Sequence, residues 1–205
     1  MKSVIAPFCL ALVLVAGLAP GAPLAAAAQP DVVQKPATPP PPPLPLGPEL
    51  WHGARIGMSQ ADVATHFPAA TPSAGETLPN GAKSALSLSA PLGGAPATAQ
   101  FYFDAHGLAA VIIDRRDVAA GKTDENLAKA HQVVDQLTSE YGKPANCSEQ
   151  RRLAALTCIW TLGEAKAVAS YRDVGGAAPT LTVSFRKLKD ASPWAPGPVR
   201  KLKAR

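Results

Sequence analysis

The chain contains few of the residues from which catalytic and metal sites are built. Among its 205 residues are only 3 cysteines and 4 histidines, and aromatic residues make up 5%. No two histidines form the His-x-x-x-His pair typical of a zinc site. The chain also lacks Gly-x-Ser-x-Gly, and no Lys-Ser/Thr follows its glycine pairs as in a phosphate-binding loop. The sequence therefore predicts no catalytic, cofactor-binding or metal-binding residue.

The central part of the chain has almost no net charge. Residues 50–185 contain 11 Lys and Arg residues against 12 Asp and Glu residues. The net charge of +5 arises mainly from the last 20 residues, which hold 7 basic residues and 1 acidic residue. A nucleic-acid-binding domain would carry its charge on the fold, among aromatic side chains that stack on bases. We therefore expect no nucleic acid partner.

The one long apolar run lies within residues 1–28. Lys2 precedes an apolar stretch at residues 4–19, and three alanines at residues 26–28 supply the small side chains recognised by signal peptidase. This layout is typical of a secretory signal peptide, and the run is shorter than the roughly 20 residues that span a bilayer. We expect a periplasmic or secreted protein without a transmembrane span in the mature chain. Whether the signal is cleaved or kept as an anchor stays open.

Export would place the remaining cysteines in an oxidising compartment. Cys9 belongs to the signal, and no cysteine lies near residues 25–29, where a lipid anchor would need one. Cys147 and Cys158 form an even pair, which predicts one disulfide that closes a loop of about 12 residues. Such a bond stabilises a fold by on the order of 3 kcal/mol. The alternative is two buried free thiols.

Proline marks the boundary between a linker and a domain. Residues 29–49 contain a proline run that favours polyproline II and has no core of its own. Residues 50–190 are expected to form a single domain. Residues 191–205 are expected to form a basic, disordered tail, as is usual for charged chain ends.

Apolar periodicity predicts two helices. Ser59 and Asp62 make a capping box before a short helix, which Pro68 ends. Apolar residues at steps of three and four from Leu127 to Tyr141 predict a longer helix. Thr123 or Asp124 is expected to cap its start, and Gly142 its end.

Alternation of apolar and polar residues predicts the strands. The expected strands cover residues 84–90, 99–103, 108–114, 156–162, 167–172 and 180–185, with a loop at residues 91–96. Trp51 and Trp160 are expected to anchor the core or its rim. The fold class is therefore α+β, with an antiparallel sheet in one layer and two helices on one face of it.

The two halves of the domain share an order of elements. Each begins with a capped helix that ends in an aromatic residue and a proline, at Phe67-Pro68 and at residues 141–144. Ile56-Gly57-Met58-Ser59, Asp62-Val63 and Phe67-Pro68 make the first half similar to the helix–sheet unit of small outer-membrane-assembly lipoproteins. A tandem α-β-β repeat of this unit resembles the β-lactamase inhibitor protein fold, over residues 54–186. The resemblance implies a fold and no functional residue, and the missing anchor cysteine departs from the lipoproteins.

The candidate contact residues are basic or aromatic. Arg151 and Arg152 lie between the cysteines, so we expect them at the tip of the disulfide-closed loop, and arginine is favoured in binding contacts. The other candidates lie in the tail: Trp194, Arg200, Lys201, Lys203 and Arg205. These residues predict an exported, non-enzymatic module that contacts an envelope protein or an anionic envelope surface.

The alternative hypothesis is a periplasmic, hydrolase-like enzyme whose site is assembled from residues scattered along the chain. The charged cluster Asp114–Asp117 and His131 are its first candidates. Two structural roles compete with this hypothesis. The cluster is more typical of a solvated strand end whose charges pair with one another. His131 is more typical of a partly buried histidine beside a helix's apolar stripe or at its edge.

Overall fold

Strands dominate the computed structural model, which describes residues 46–174 and 177–189. The helices are α1 (Gln60–His66), α2 (Thr123–Tyr141) and a 3₁₀ helix at Arg151–Leu153. The strands are β1 (Glu49–Trp51), β2 (Ala54–Arg55), β3 (Thr71–Pro72), β4 (Lys83–Leu92), β5 (Ala95–Asp104), β6 (Gly107–Arg115), β7 (Asn146–Gln150), β8 (Ala155–Leu162), β9 (Ala165–Arg172) and β10 (Thr180–Lys187). The predicted signal, most of the linker and the tail lie outside the described residues.

Eight of these strands form one antiparallel sheet, in the order β3-β4-β5-β6-β10-β9-β8-β7. The strands β1 and β2 pair separately. This confirms the predicted α+β class and the antiparallel sheet. In chain order, α1 is followed by β3 to β6 and α2 by β7 to β10, so the sheet order is symmetric about the central β6–β10 pair.

The capping box at α1 forms as predicted. Ser59 Oγ accepts a hydrogen bond from the Asp62 amide, and Asp62 Oδ2 accepts one from the Ser59 amide, both at 3.1 Å. These bonds satisfy two donors that the first turn of a helix would otherwise leave open. The buried Val63 then turns α1 toward the core.

The prediction that Thr123 or Asp124 caps α2 is wrong. The N-cap residue is Lys122, and its side chain makes no capping hydrogen bond. The buried Asn126 holds the preceding chain instead: its Nδ2 donates to the Ala119 carbonyl at 2.7 Å and its Oδ1 accepts from the Ala119 amide at 3.2 Å. This amide fork fixes how the chain enters the helix, so a cap is not needed for that purpose.

The predicted loop at residues 91–96 is also wrong. β4 and β5 continue through it and meet at a Gly93-Gly94 turn, with Pro91 opposite Pro96. The pairing of β3 with β4 and of β6 with β5 ends before these prolines. Proline is usually excluded from a sheet because it cannot donate a backbone hydrogen bond to the neighbouring strand. Neither β3 nor β6 reaches these prolines, so no such hydrogen bond is lost here.

Four short strands, β1, β2, β3 and β7, were not predicted. The sequence of β7 is polar throughout, and all five of its residues are exposed. Both faces of this edge strand are exposed to solvent, so its residues do not alternate between apolar and polar. That alternation is the signal on which strand prediction depends. The remaining three strands have only two or three residues each.

One apolar cluster joins both helices to a single face of the sheet, which we call the helix face. Trp51 and Trp160 are buried in it, as predicted, and Trp160 Nε1 donates to the Gly142 carbonyl at 2.8 Å. On the helix face, β9, which α2 contacts, presents three alanines and Tyr171. These small side chains, Ala165, Ala167 and Ala169, let the helix pack closely on the sheet.

The meanders β4–β5–β6 and β8–β9–β10 have the same register. Ala99 lies opposite Ile113, and Ala169 lies opposite Val183, which is a constant offset of 70 residues. Several positions also carry the same residue at this offset: Leu86 and Leu156, Leu92 and Leu162, Gly93 and Gly163, Ala97 and Ala167. Equivalent residues of the two halves therefore occupy equivalent places on the sheet.

Cys147 and Cys158 form the predicted disulfide and lie directly opposite each other on β7 and β8. Their Cα atoms are 4.1 Å apart, close to the spacing of a non-hydrogen-bonded antiparallel pair. Cys158 is fully buried, whereas Cys147 is exposed on the edge strand. The bond thus ties the polar edge strand to the core.

We predict that the chain starting at Gln29 has no reactive thiol when it is unfolded without reductant, and two after reduction. Reduction should lower the free energy of unfolding by about 3 kcal/mol, because the unfolded chain gains the freedom that the closed loop removes. Thiol titration and urea unfolding measure the two effects. Two reactive thiols in the unreduced chain would show that the pairing is wrong.

Candidate functional site

The sheet face that points away from the helices, which we call the open face, holds a groove of about 730 Å³ in the second half. Its floor is made by β8, β9 and β10, and its far side by β7 and the 3₁₀ helix. A volume of this size lies within the range of ligand pockets. The groove is therefore the first place to look for a binding site.

Hydroxyl groups cross the floor of the groove in one row. Ser148, Thr157 and Ser170 line the groove and are successive cross-strand partners on β7, β8 and β9, and Thr182 continues the row on β10 beyond the lining. Hydroxyls both donate and accept hydrogen bonds, so this row suits a ligand that carries several polar groups along its length.

Basic side chains lie on either side of the hydroxyl row. Lys166 and Arg186 are cross-strand partners at one end of the groove, and Arg172 lies at the other end. The six-residue step from Lys166 to Arg172 along β9 corresponds to about 20 Å. Asp173 is the only acidic residue among the described residues that line the groove. The lining is therefore cationic and complementary to an anion.

The sheet holds two of these cations in defined positions. Lys166 Nζ donates to the carbonyl of Leu188 at 2.8 Å, which is a neutral acceptor. Arg186 lies in the central strand β10 and is only 3% exposed. A charge held away from water acts on its neighbours through a lower effective dielectric, so its attraction for an anion is screened less than at the surface.

Aliphatic groups complete the groove. Ile159 and Val168 are cross-strand partners on its floor. At the rim, Leu153 is 64% exposed and Val174 is 66% exposed. The site thus combines cations, hydroxyls and an apolar surface, which suits a ligand with both anionic and aliphatic parts.

The first half covers part of its open face with its own chain, at the place that corresponds to Arg172. Tyr102, Ala110 and Ile112 form a separate apolar cluster there with Ala82, and Leu78 packs against it. Burial raises the pKa of the Tyr102 hydroxyl, and the nearby carboxylates of Glu76 and Asp114 raise it further. The segment around Leu78 therefore lies across this face.

The second half has no such cover among the described residues. At the offset of 70, Arg172 takes the place of Tyr102. β7 pairs with β8 where β3 pairs with β4, so the covering segment at residues 73–82 corresponds to the connection at residues 151–154, which is shorter and contains the 3₁₀ helix. The two halves therefore differ in the segment that lies beside the open face.

The tip of the β7–β8 hairpin carries the two predicted contact arginines. Arg151 Nε lies 2.8 Å from Glu149 Oε1, and His131 Nε2 lies 3.2 Å from Glu149 Oε2. The Arg151 hydrogen bond, with smaller contributions from the charges of Arg151 and His131, holds the pKa of Glu149 below its usual value. Arg152 is exposed and lines the groove. Trp194, Arg200, Lys201, Lys203 and Arg205 lie outside the described residues.

The Asp114–Asp117 cluster divides into two pairs. Arg116 and Asp114 form an exposed pair at 3.3 Å. Arg115 is 3% exposed and makes two hydrogen bonds to the Asp117 carboxylate, at 2.6 and 2.9 Å. The expectation of self-compensating pairs is confirmed, but that of a fully solvated strand end is wrong for Arg115.

Arg115 joins the β4–β5 turn to the end of β6. Its Nη1 donates to the carbonyls of Leu92 and Gly93, at 3.2 and 3.0 Å. A side chain on Gly93 would meet Arg115 Nη1 at 2.6 Å and Val133 at 2.9 Å, and the φ of +58° also favours glycine. These contacts assign Arg115 a structural role.

The residues named for the enzyme hypothesis do not converge. His131 lies at the edge of α2 and pairs with Glu149, whereas the charged cluster lies at the end of β6. The described lining of the groove contains no His, Cys or Glu.

Within residues 46–174 and 177–189, no group of three His, Cys, Asp or Glu side chains could hold a metal ion. No helix in these ranges has the length and apolar character needed to cross a membrane.

Apart from Arg152, the charged residues of the groove were not identified from the sequence. Lys166, Arg172 and Arg186 occupy the polar positions of alternating strands, so the alternation signals that they share the open face. Their meeting depends on β9 and β10 being neighbours in a particular register, which alternation does not reveal. Arg186 was counted with the basic chain end, whereas it lies in β10.

Comparisons with known protein families, with curated proteins and with solved structures find no match to this chain.

We predict that Asp117→Asn lowers the free energy of unfolding at pH 7 by about 1–3 kcal/mol, because it leaves donors of the buried Arg115 without their partner. The hydrogen bonds from Arg115 hold the pKa of Asp117 below its usual value. Its contribution is therefore complete above about pH 4, the unfolded value, and is lost as the pH falls through the folded pKa. Urea unfolding at pH 7 and at pH 3 should show the difference from the unsubstituted protein shrinking at low pH.

Asp114→Asn is the matched control, since it removes the same charge from the exposed pair with Arg116. Its effect should stay within about 0.5 kcal/mol. Equal effects of the two substitutions would contradict the role assigned to Arg115.

Proposed function

We propose that the protein is an exported, non-enzymatic envelope module that binds an anionic partner in the groove of its second half. The groove carries this proposal, because it brings cations, hydroxyls and aliphatic side chains together on one face of the sheet. The apolar signal at residues 1–28 supports export. The cross-strand disulfide fits an oxidising compartment.

Binding accounts for the groove better than catalysis does. Acid–base chemistry needs a titratable group whose pKa lies near the working pH, and covalent catalysis needs an activated nucleophile. The described lining supplies arginine, lysine, serine and threonine, with Asp173 as its one acid. Arginine at such a site is suited to paired hydrogen bonds with a carboxylate or phosphate.

The domain is also proposed to be a tandem repeat of one helix followed by four strands, with both helices on one face of the sheet. The shared register at an offset of 70 residues supports this proposal. It is in keeping with the resemblance to the helix–sheet units of outer-membrane-assembly lipoproteins and of β-lactamase inhibitor protein. Under this proposal, one copy has kept its open face for a partner.

Photocrosslinking in the native cells tests the proposed function. A photoreactive residue replacing Thr157, on the floor of the groove, should capture a defined partner, whereas one replacing the exposed Glu125 on α2 should not. Adding Arg172→Ala and Lys166→Ala should abolish capture at position 157, because the anion loses its cations. Identical products from both positions, capture unaffected by the two substitutions, or turnover of an ester, peptide or glycoside abolished by one groove substitution would contradict the proposal.

The basic residues Arg200, Lys201, Lys203 and Arg205 are proposed to add a weaker attraction to anionic envelope surfaces. Each contributes about 1 kcal/mol at most, and the effect fades beyond a Debye length of about 8 Å. Sedimentation with anionic vesicles should therefore weaken for a chain ending at Asp190, and for the full chain at high salt. Equal sedimentation of the two chains at low salt would assign the tail no such role.

A further inference from the structure

The outer edge of β7 is open at one end of the eight-stranded sheet. Within residues 46–174 and 177–189, β7 pairs only with β8, and all five of its residues are exposed. We infer that this edge binds a second copy of the same chain, so that two β7 strands pair antiparallel about a two-fold axis with Ser148 opposite Ser148. The inference goes beyond the proposed function and does not depend on it.

The backbone of β7 presents hydrogen-bonding groups to the outside of the sheet. Cys147 lies opposite Cys158 with a Cα separation of 4.1 Å, which is typical of a non-hydrogen-bonded pair. In such a pair, the N–H and C=O groups of each residue point away from the other strand. The same holds two residues further on, for Glu149 opposite Leu156. Cys147 and Glu149 therefore offer backbone donors and acceptors to another strand.

The two ends of the sheet differ in how they discourage the addition of a strand. Natural sheets protect their edges with very short strands, prolines, lysines or bulges. At one end, the edge strand β3 has only two residues, of which one is Pro72, and the neighbouring β4 contains Pro91. At the other end, β7 has five residues without proline or lysine. An added strand is therefore expected at the β7 end.

Charge and length select one register for two β7 strands. The outward groups of Cys147 and Glu149 allow symmetric pairing with Cys147, Ser148 or Glu149 opposite its own copy. Pairing at Glu149 places two carboxylates directly opposite each other, which is destabilising. Pairing at Cys147 leaves Gln150 opposite the chain that precedes β7. Pairing at Ser148 matches all five residues of both strands and sets Glu149 opposite Cys147.

The side chains that meet in this register are neutral or already paired. On the open face, hydroxyl and amide groups of the two strands face each other, and these groups both donate and accept hydrogen bonds. On the helix face, Glu149 is the only charged residue of β7 and has Arg151 at 2.8 Å and His131 at 3.2 Å. The pairing therefore leaves no charge of β7 without a partner.

The helix layer leaves room for the second copy. α2 packs on β8 and β9, so the axes of the two α2 helices would be about four strand spacings apart, or about 19 Å. An α-helix with its side chains is about 10–12 Å across. The two helices can therefore lie on the same side of the joined sheet without a clash.

The pairing also joins the two grooves. The two-fold axis is perpendicular to the joined sheet, so both open faces lie on the same side of it. Ser148 and Gln150 line the groove of one copy, and Asn146 of the second copy lies opposite Gln150 in this register. Each copy therefore contributes a residue to the rim of the other's groove.

Charge reversal at Ser148 tests the pairing, because this residue faces its own copy. Sedimentation equilibrium of the chain starting at Gln29 should show a dimer fraction that rises with concentration up to about 1 mM, as expected of a small, weak interface. Ser148→Lys and Ser148→Glu should each raise the dissociation constant about fivefold, because like charges then lie directly opposite each other. An equimolar mixture of these two variants should dimerise at least as tightly as the unsubstituted protein.

Proline at position 149 provides an independent test, because it removes only a donor that points away from β8. Glu149→Pro should abolish dimerisation. Glu149→Ala, the matched control for the lost carboxylate, should still dimerise. Ser139→Lys, at an exposed position of α2, controls for added charge and should leave the dimer unchanged. Amide spectra of each variant should show that β7 and β8 remain paired.

A monomer at every concentration would overturn the inference and leave the proposed function intact, since crosslinking at position 157 measures groove binding separately. The inference is also wrong if the mixture of Ser148→Lys and Ser148→Glu dimerises no better than either variant alone. Equal dimerisation of Glu149→Pro and Glu149→Ala would likewise show that another surface forms the dimer.

Discussion

The antiparallel pairing of β6 with β10 is the constraint on which the rest of the structure depends. Val183 lies opposite Ile113, and Phe185 lies opposite Val111, so the apolar residues of both halves point to the helix face. A slip of one residue would turn every side chain of β10 to the other face. It would turn Ser184 into the apolar cluster and Phe185 away from it, and it would also turn Arg186 away from the groove.

The two halves show how one scaffold can end in different surfaces. Their helix faces carry equivalent residues at equivalent positions, because packing against a helix restricts side-chain volume. Their open faces are free of that restriction and have diverged, with Tyr102 in one half and Arg172 in the other. The connection into the meander has diverged with them: the segment around Leu78 lies over the face in the first half, whereas the 3₁₀ helix at Arg151–Leu153 takes its place in the second.

Buried polar groups decide several features that apolar patterns leave undetermined. Asn126 sets the entry to α2 through its amide fork, so the helix starts without the expected cap. Arg115 holds the β4–β5 turn by its hydrogen bonds to Leu92 and Gly93, in a stretch where two prolines suggested a loop. Each of these side chains forms hydrogen bonds with backbone atoms that are near it in space but several or many residues away in the sequence.

The sequence by itself determined the elements that bury a periodic apolar pattern. These include α1, α2 and the strands of both meanders, because burial of one face imposes a period of 3.6 or 2 on the residues. It also indicated the disulfide between Cys147 and Cys158. It did not determine the edge strand β7, whose exposed residues follow no period.

Only the tertiary structure decided which open-face residues meet. Lys166, Arg172 and Arg186 lie on two strands, and their cluster depends on the register between β9 and β10. The tertiary structure likewise buries Arg115 and leaves the neighbouring Arg116 exposed. Local patterns specify the face on which a side chain lies, whereas its neighbours across the sheet are set by long-range pairing, and that pairing created the groove.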